Sequence, residues 1–140
     1  MSDKYILLDS DVLSFLIKQD ELAKPYVPDL KGKIPLITFQ TRAELLRLPI
    51  ERKWGPTRTA KMKEYLNNIP VIESGPLLAQ KWADVRAWGR QHGRPVDGGD
   101  VGIGAAALLY DIPLATHNRR DFAWMTELGL KLVCHAPELE

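Results

Sequence analysis

Asp9 and Asp11 interrupt an apolar stretch in KYILLDSDVLSFL, residues 4–16. Three distant segments also set oxygen-bearing side chains beside short apolar runs. They carry Glu44 in TFQTRAELLRL, Asp97 and Asp100 in PVDGGDVGIG, and Thr116, Asn118 and Asp121 in ATHNRRDF. Carboxylates drawn into one place repel one another unless they are protonated or share a cation. An all-oxygen donor set suits a hard ion such as Mg²⁺ or Mn²⁺, and Mg²⁺ is often completed by waters and substrate phosphates. Such an ion can activate water for attack on phosphorus and stabilise the leaving oxygen. This chemistry needs no serine or cysteine nucleophile.

For that chemistry the segments must meet. Short apolar runs recur at residues 5–8 (YILL), 35–38 (PLIT), 70–72 (PVI), 113–116 (PLAT) and 130–133 (LKLV). Most are too short for buried helices and several begin at a proline, which predicts strands. The segments between them predict helices. In SGPLLAQKWADVRAWGRQHG, Ser74 suits an N-cap, Pro76 fits the first turn and Gly93 is a stop. Leu78, Trp82 and Val85 fall on one face. Residues 41–54 predict a helix kinked at Pro49, residues 55–68 another, and GDVGIGAAALLY a third. Strand–helix alternation predicts a single α/β domain over residues 1–140 with a mainly parallel sheet. In such sheets ligands bind beyond the carboxyl ends of the strands. Asp9, Glu44, Asp100 and the group from Thr116 to Asp121 all fall at strand ends or helix starts.

Each residue also has a plainer reading. Asp9 or Ser10 could cap the first helix, Asp97 a later one, and Asp121 the segment DFAWMTELG. Glu44 could pair with Arg47 on one helix face. These readings do not explain why four separate segments share the pattern. Composition sets outer bounds: 45% hydrophobic and 26% charged residues suit a globular domain, and 19 Lys+Arg against 18 Asp+Glu give a net charge of +1. That excludes an extremely basic protein but not a local basic face. The opening MSDKYILLDSD reads as neither a signal peptide nor a membrane span. A lone cysteine, Cys134, excludes an internal disulfide and a thiolate cluster, and a reducing cytoplasm is the expected setting.

The motifs ILLDSDVLSFL, TFQTRAELLRL, GRPVDGGDVGIGAAALLYDIPLATHNRRDF and GLKLV, in this order, resemble those of PIN-domain ribonucleases. The likeness runs nearly end to end and is nearest to the VapC-type toxins of toxin–antitoxin pairs. It implies a PIN-like three-layer α/β/α sandwich with a mainly parallel central sheet. It also implies that Asp9, Glu44, Asp100 and Asp121 hold one or two Mg²⁺ or Mn²⁺ ions for RNA hydrolysis. Thr116 and Asn118 match polar supporting positions, and Asp11 a supporting residue of the first turn. The resemblance further implies a homodimer and a small cognate antitoxin that blocks the acidic site. Gly102 and Gly104 depart from the pattern, which prefers a bulky residue and Ala. Each Gly costs a helix interior roughly 1 kcal/mol against Ala, so a loose helix start is expected there.

Arg119 and Arg120, beside Asp121, are the expected phosphate contacts. The other basic residues, from Arg42 to Lys63 and from Lys81 to Arg94, read as solvated helix faces. The four tryptophans read as core or interface, the three histidines lack ligand spacing, and Cys134 reads as buried. DSDVL also resembles the first motif of haloacid-dehalogenase-type phosphatases. Val12 and Leu13 then stand where that family wants Gly and Thr. A degenerate PIN domain that binds RNA or protein without cutting is the remaining alternative, and its expected mark, a missing acid, is absent.

Overall fold

Ile6, Leu7 and Leu8 are all buried, so the strand they form must be covered on both faces. This is β1 (Tyr5–Leu8) of a computed structural model that describes residues 4–94 and 97–138. Residues 1–3 of the opening segment, Pro95 and Val96 of the GRPVDGGD motif, and residues 139–140 lie outside the described residues. β1 is followed by α1 (Ser10–Lys18), a 3-10 helix (Glu21–Tyr26), α2 (Val27–Leu30) and β2 (Ile34–Thr38). Then come α3 (Phe39–Glu51), α4 (Pro56–Asn67), β3 (Val71–Ile72), α5 (Pro76–Gln91) and α6 (Gly98–Tyr110). The chain closes with β4 (Leu114–Ala115), α7 (Arg119–Phe122), a second 3-10 helix (Ala123–Leu128) and β5 (Leu132–Val133).

The five strands lie in the order β3-β2-β1-β4-β5 and all four pairings are parallel. Alternation along β1 splits the core. Leu7 packs with Val101, Ile103 and Phe122 under α5 and α6. Ile6 and Leu8 face the other way and pack with Leu13, Tyr26 and Leu45 under α1 and α3. The result is the three-layer α/β/α sandwich expected, with strands at all five predicted places. The connection out of β1 runs to β2 on one side, while β4 lies on the other. The order reverses at β1, and a crevice therefore opens beyond the ends of β1 and β4.

Local details differ from the sequence reading where tertiary contacts decide. Gly75, not Ser74, is the N-cap of α5, with Pro76 at its first position. Pro76 needs no N–H partner there, which lowers the demand for a side-chain cap. α3 runs as one helix through Pro49, which is buried in its last turn. Cys134 is only half-buried.

α6 runs as one helix through its glycines. Asp97 caps it as expected, its Oδ1 accepting from Gly99 N–H at 2.8 Å and Asp100 N–H at 3.2 Å. Gly104 is buried, and a Cβ there would overlap Met125 Sδ, itself fully buried. The residue is small so that α6 can press against the 3-10 helix after α7. Gly102 has no such neighbour: a Cβ would sit at ordinary contact distance, 3.9 Å, from Trp82. Gly104→Ala should therefore cost about 1–2 kcal/mol net, overpacking outweighing helix propensity. Gly102→Ala should add about 0.5–1 kcal/mol. Urea titration of both variants reads the opposite signs.

Candidate active site

The site begins with one carboxylate. Asp9 leaves the end of β1 in an extended conformation and is the N-cap of α1. Its side chain is buried, so both oxygens need donors. Ser10 N–H donates to Oδ1 at 2.8 Å, and the Thr116 hydroxyl donates to Oδ2 at 2.7 Å. Thr116 follows β4, the strand beside β1, so this bond spans the crevice where the strand order reverses. Asp9 thus caps α1 and bridges to the neighbouring strand's end with the same carboxylate.

The same hydroxyl carries the site further. Thr116 Oγ1 accepts from Asn118 N–H at 3.0 Å. Asn118, not Asp121, is the N-cap of α7: its Oδ1 accepts from Asp121 N–H at 3.3 Å. Its Nδ2 donates to Asp121 Oδ2 at 2.8 Å. Asp121 is therefore held in the first turn by Asn118.

Glu44 reaches the site from α3. Ser10 Oγ donates to its Oε2 at 2.8 Å, and Gln40 Nε2 donates to its Oε1 at 3.0 Å. The alternative partner considered from sequence, Arg47, pairs with Glu51 instead, at 2.7 Å. Gln40 also lies against the start of α6, where a Cβ at Gly99 would sit 3.1 Å from its Nε2. Gly99 thus admits α3 close to the helix that carries Asp100.

Electrostatics shows that the four acids share one field. Asp9 is pushed up to about 7, first by burial, then by the Asp11 charge and, less, by Glu44. The Thr116 and Ser10 bonds oppose this. Asp100 is pushed up to about 7, first by burial, then by the charges of Asp9, Asp121 and Asp97. Asp100 is thus the meeting point between Asp9 and Asp121. Asp11 is raised by burial, but its oxygens accept from Val12 N–H at 2.6 Å and His117 N–H at 3.1 Å. It ties α1 to the segment after β4.

The donors are all hard oxygens at one strand-end crevice, and their mutual repulsion is the kind a divalent cation relieves. Among the described residues, no three His, Cys, Asp or Glu side chains form a ready-made cage. Asp9 and Glu44 each accept one hydrogen bond per oxygen, which leaves a second lone pair on each oxygen for an ion. The donor set therefore fits Mg²⁺ or Mn²⁺ held by one or two carboxylates and completed by water and substrate.

Arg119 and Arg120 part company. Arg119 donates to the carbonyls of Cys134 at 3.2 Å and Ala136 at 2.8 Å, pinning the chain after β5. Arg120 is exposed. Sequence reasoning missed Tyr26, a fully buried hub. Its hydroxyl donates to Thr116 O at 3.2 Å, meets His117 Nδ1 at 2.7 Å and accepts from His135 N–H at 2.9 Å. These partners lie some 90 residues or more away, and no local pattern announces them. Gln40, four residues before Glu44, was findable from helix spacing.

No protein-family profile matches the chain, and no curated protein matches its sequence. Solved structures share its fold. VapBC2 from Rickettsia felis, bound to a DNA fragment from its promoter, matches with a TM-score of 0.80 at 19% identity, over 93% of this chain and 98% of that one. DNA-bound VapBC from Salmonella typhimurium matches with 0.77 at 22%, over 94% and 98%. VapBC-1 from nontypeable Haemophilus influenzae matches with 0.76 at 21%, over 93% and 97%. These likenesses establish the fold, the PIN-like sandwich expected from the motifs.

The raised acids make a stability prediction. In the unfolded chain Asp9 and Asp100 ionise near 3.8, whereas the folded protein holds their protons to about 7. Across that window the folded state binds more protons than the unfolded one, so stability falls as pH rises. Metal-free protein should melt at a lower temperature at pH 8 than at pH 5. Asp100→Asn should raise the pH 8 melting temperature by several degrees, about 1 kcal/mol or more, with a smaller gain at pH 4. Thermal melts in chelator measure both.

Proposed function

We propose that this chain is a Mg²⁺- or Mn²⁺-dependent endoribonuclease and the toxin of a toxin–antitoxin pair. The observation that carries the proposal is the gathering of Asp9, Glu44, Asp100 and Asp121 at the strand-order reversal of a fold shared with VapBC proteins. Asp9 and Asp100 are the principal ligands, because their repulsion is the strongest reason for a cation to bind. Asp121, positioned by Asn118, and Glu44, positioned by Ser10 and Gln40, complete the acidic rim. When bound, the ion supplies Lewis-acid stabilisation of a phosphoryl oxygen and activation of water.

The chain's own groups do the remaining work. Thr116 fixes the Asp9 carboxylate, so its second oxygen cannot turn away from the crevice. Asp100, held protonated up to about 7 by burial and by its acidic neighbours, loses its proton as the site ionises. Arg120 offers a positive charge at the rim, which a near-neutral chain needs if RNA is to approach an acidic pocket. A small antitoxin presenting a cation to these acids would silence them. The working form in this reading is a cytoplasmic homodimer, and no helix among the described residues is long and apolar enough to cross a membrane.

A second reading, a PIN-like domain that binds RNA without cutting, is favoured by one observation: the described acids do not form a three-ligand cage. Purified protein incubated with total RNA separates the two. The ribonuclease reading expects cleavage with Mg²⁺ or Mn²⁺ that EDTA abolishes and that rises with pH through about 7. Asp9→Asn and Asp100→Asn should each lower the rate at least about 100-fold. Cleavage that survives EDTA or Asp9→Asn contradicts it. Binding of RNA without any metal-dependent cleavage supports the second reading.

A further inference from the structure

Ser10, Ser14 and Lys18 follow one another at four-residue spacing on α1 and so lie along one face, roughly 12 Å from end to end. At the first end Ser10 holds Glu44 beside a cavity of about 170 Å³ that Asp11, Ser14 and Arg47 also line. At the other end a larger cavity of about 460 Å³ is lined by Ser14, Lys18, Trp54, Arg58 and Lys61. Ser14 lines both, so the two are neighbours along this face. The wall chemistry changes from acidic to cationic along this path.

Two other arginines, Arg42 and Arg119, are committed to the fold. Arg42 donates to Leu66 O and Asn67 Oδ1, and Arg119 to the carbonyls after β5. Lys18, Arg58 and Lys61 are exposed, and among the described residues none has a carboxylate partner. Instead the Arg58 guanidinium carbon lies 3.7 Å from the centroid of the Trp54 ring. Trp54 is half-buried against the core, which keeps this stacked pair in place. A guanidinium backed by an indole is a surface on which a base can stack, and flanking lysines suit its phosphates.

We propose that Lys18, Trp54, Arg58 and Lys61 form a subsite for a nucleotide of single-stranded RNA adjoining the cleaved phosphodiester. The proposal rests on the ribonuclease reading for the position of the cut, but not for RNA binding itself. An acidic peptide could satisfy the cations, yet it would leave the Arg58–Trp54 stack unused. It would also not explain why the cationic cavity lies next to the one beside Glu44.

The test is binding of a short, fluorescently labelled, mixed-sequence oligoribonucleotide in EDTA, followed by anisotropy at several salt concentrations. Arg58→Gln with Lys61→Gln should weaken binding about tenfold and flatten the log K against log salt slope by roughly 0.7 per cation removed. Lys81→Gln with Arg90→Gln, on α5 in the other helical layer, should change neither. In cleavage assays the first pair should raise KM with kcat near that of the unaltered protein. Unchanged affinity and salt slope in the Arg58/Lys61 pair overturns the subsite, as does loss of acidic-peptide binding with RNA binding intact. If the unaltered protein cuts RNA and the pair cuts with the same KM, only the subsite fails. If the protein binds RNA through Arg58 and Lys61 but never cuts it with Mg²⁺, the subsite stands and the nuclease reading fails.

Discussion

A carboxylate 5% exposed at the end of the central strand is the constraint around which this molecule is organised. A buried charge is costly unless hydrogen-bonded or neutralised. Asp9 meets that demand with a backbone N–H from its own helix and a hydroxyl from the neighbouring strand's end. Thr116 is in turn held by Asn118, and Asn118 holds Asp121. One run of hydrogen bonds therefore links the first acid to the fourth, across more than a hundred residues of sequence. It depends on β1 lying beside β4. Even so, the bonds leave Asp9 and Asp100 with raised proton affinity, because burial and the neighbouring carboxylates outweigh them. The fold tolerates this repulsion at the place where the proposed function needs it.

The arrangement around the crevice is held from both helical layers. From one side Ser10 and Gln40 fix Glu44, and Gly99 lets Gln40 lie close to α6. From the other, Gly104 lets α6 settle on Met125, which sets where the first turn with Asp100 ends up. Beneath Thr116 the Tyr26 hydroxyl gathers His117 and His135, joining the ends of β4 and β5 to the segment after α1. Arg119 pins the chain beyond β5 to the same end of the sheet.

Much of this was legible in the sequence, for identifiable reasons. The strands announced themselves because a doubly covered parallel strand is a continuous apolar run, as in YILL. The acids could be grouped because the α/β rule sends function to strand ends, and the motif order supplied the family likeness. What stayed hidden was anything settled by distant partners. Asp121 and Asn118 both suit an N-cap, and only the fold, by placing Asn118 against Thr116, chose Asn118. Gly104 looked like a weak helix residue because Met125 is far away in sequence. The structural task of Arg119 stayed hidden because its carbonyl partners follow β5. Asp97 was read correctly as a cap because its donors are its immediate neighbours.

The central claim is that these acids await a divalent cation and that its binding displaces their protons. Calorimetric titration of Mn²⁺ into metal-free protein at about pH 6.5, in two buffers of different ionisation enthalpy, measures that exchange directly. The account predicts binding with release of up to about one proton per ion, shrinking toward zero near pH 8.5. It also predicts loss of that binding in Asp9→Asn. Binding that survives Asp9→Asn unchanged, or that releases no proton at pH 6.5, would contradict it.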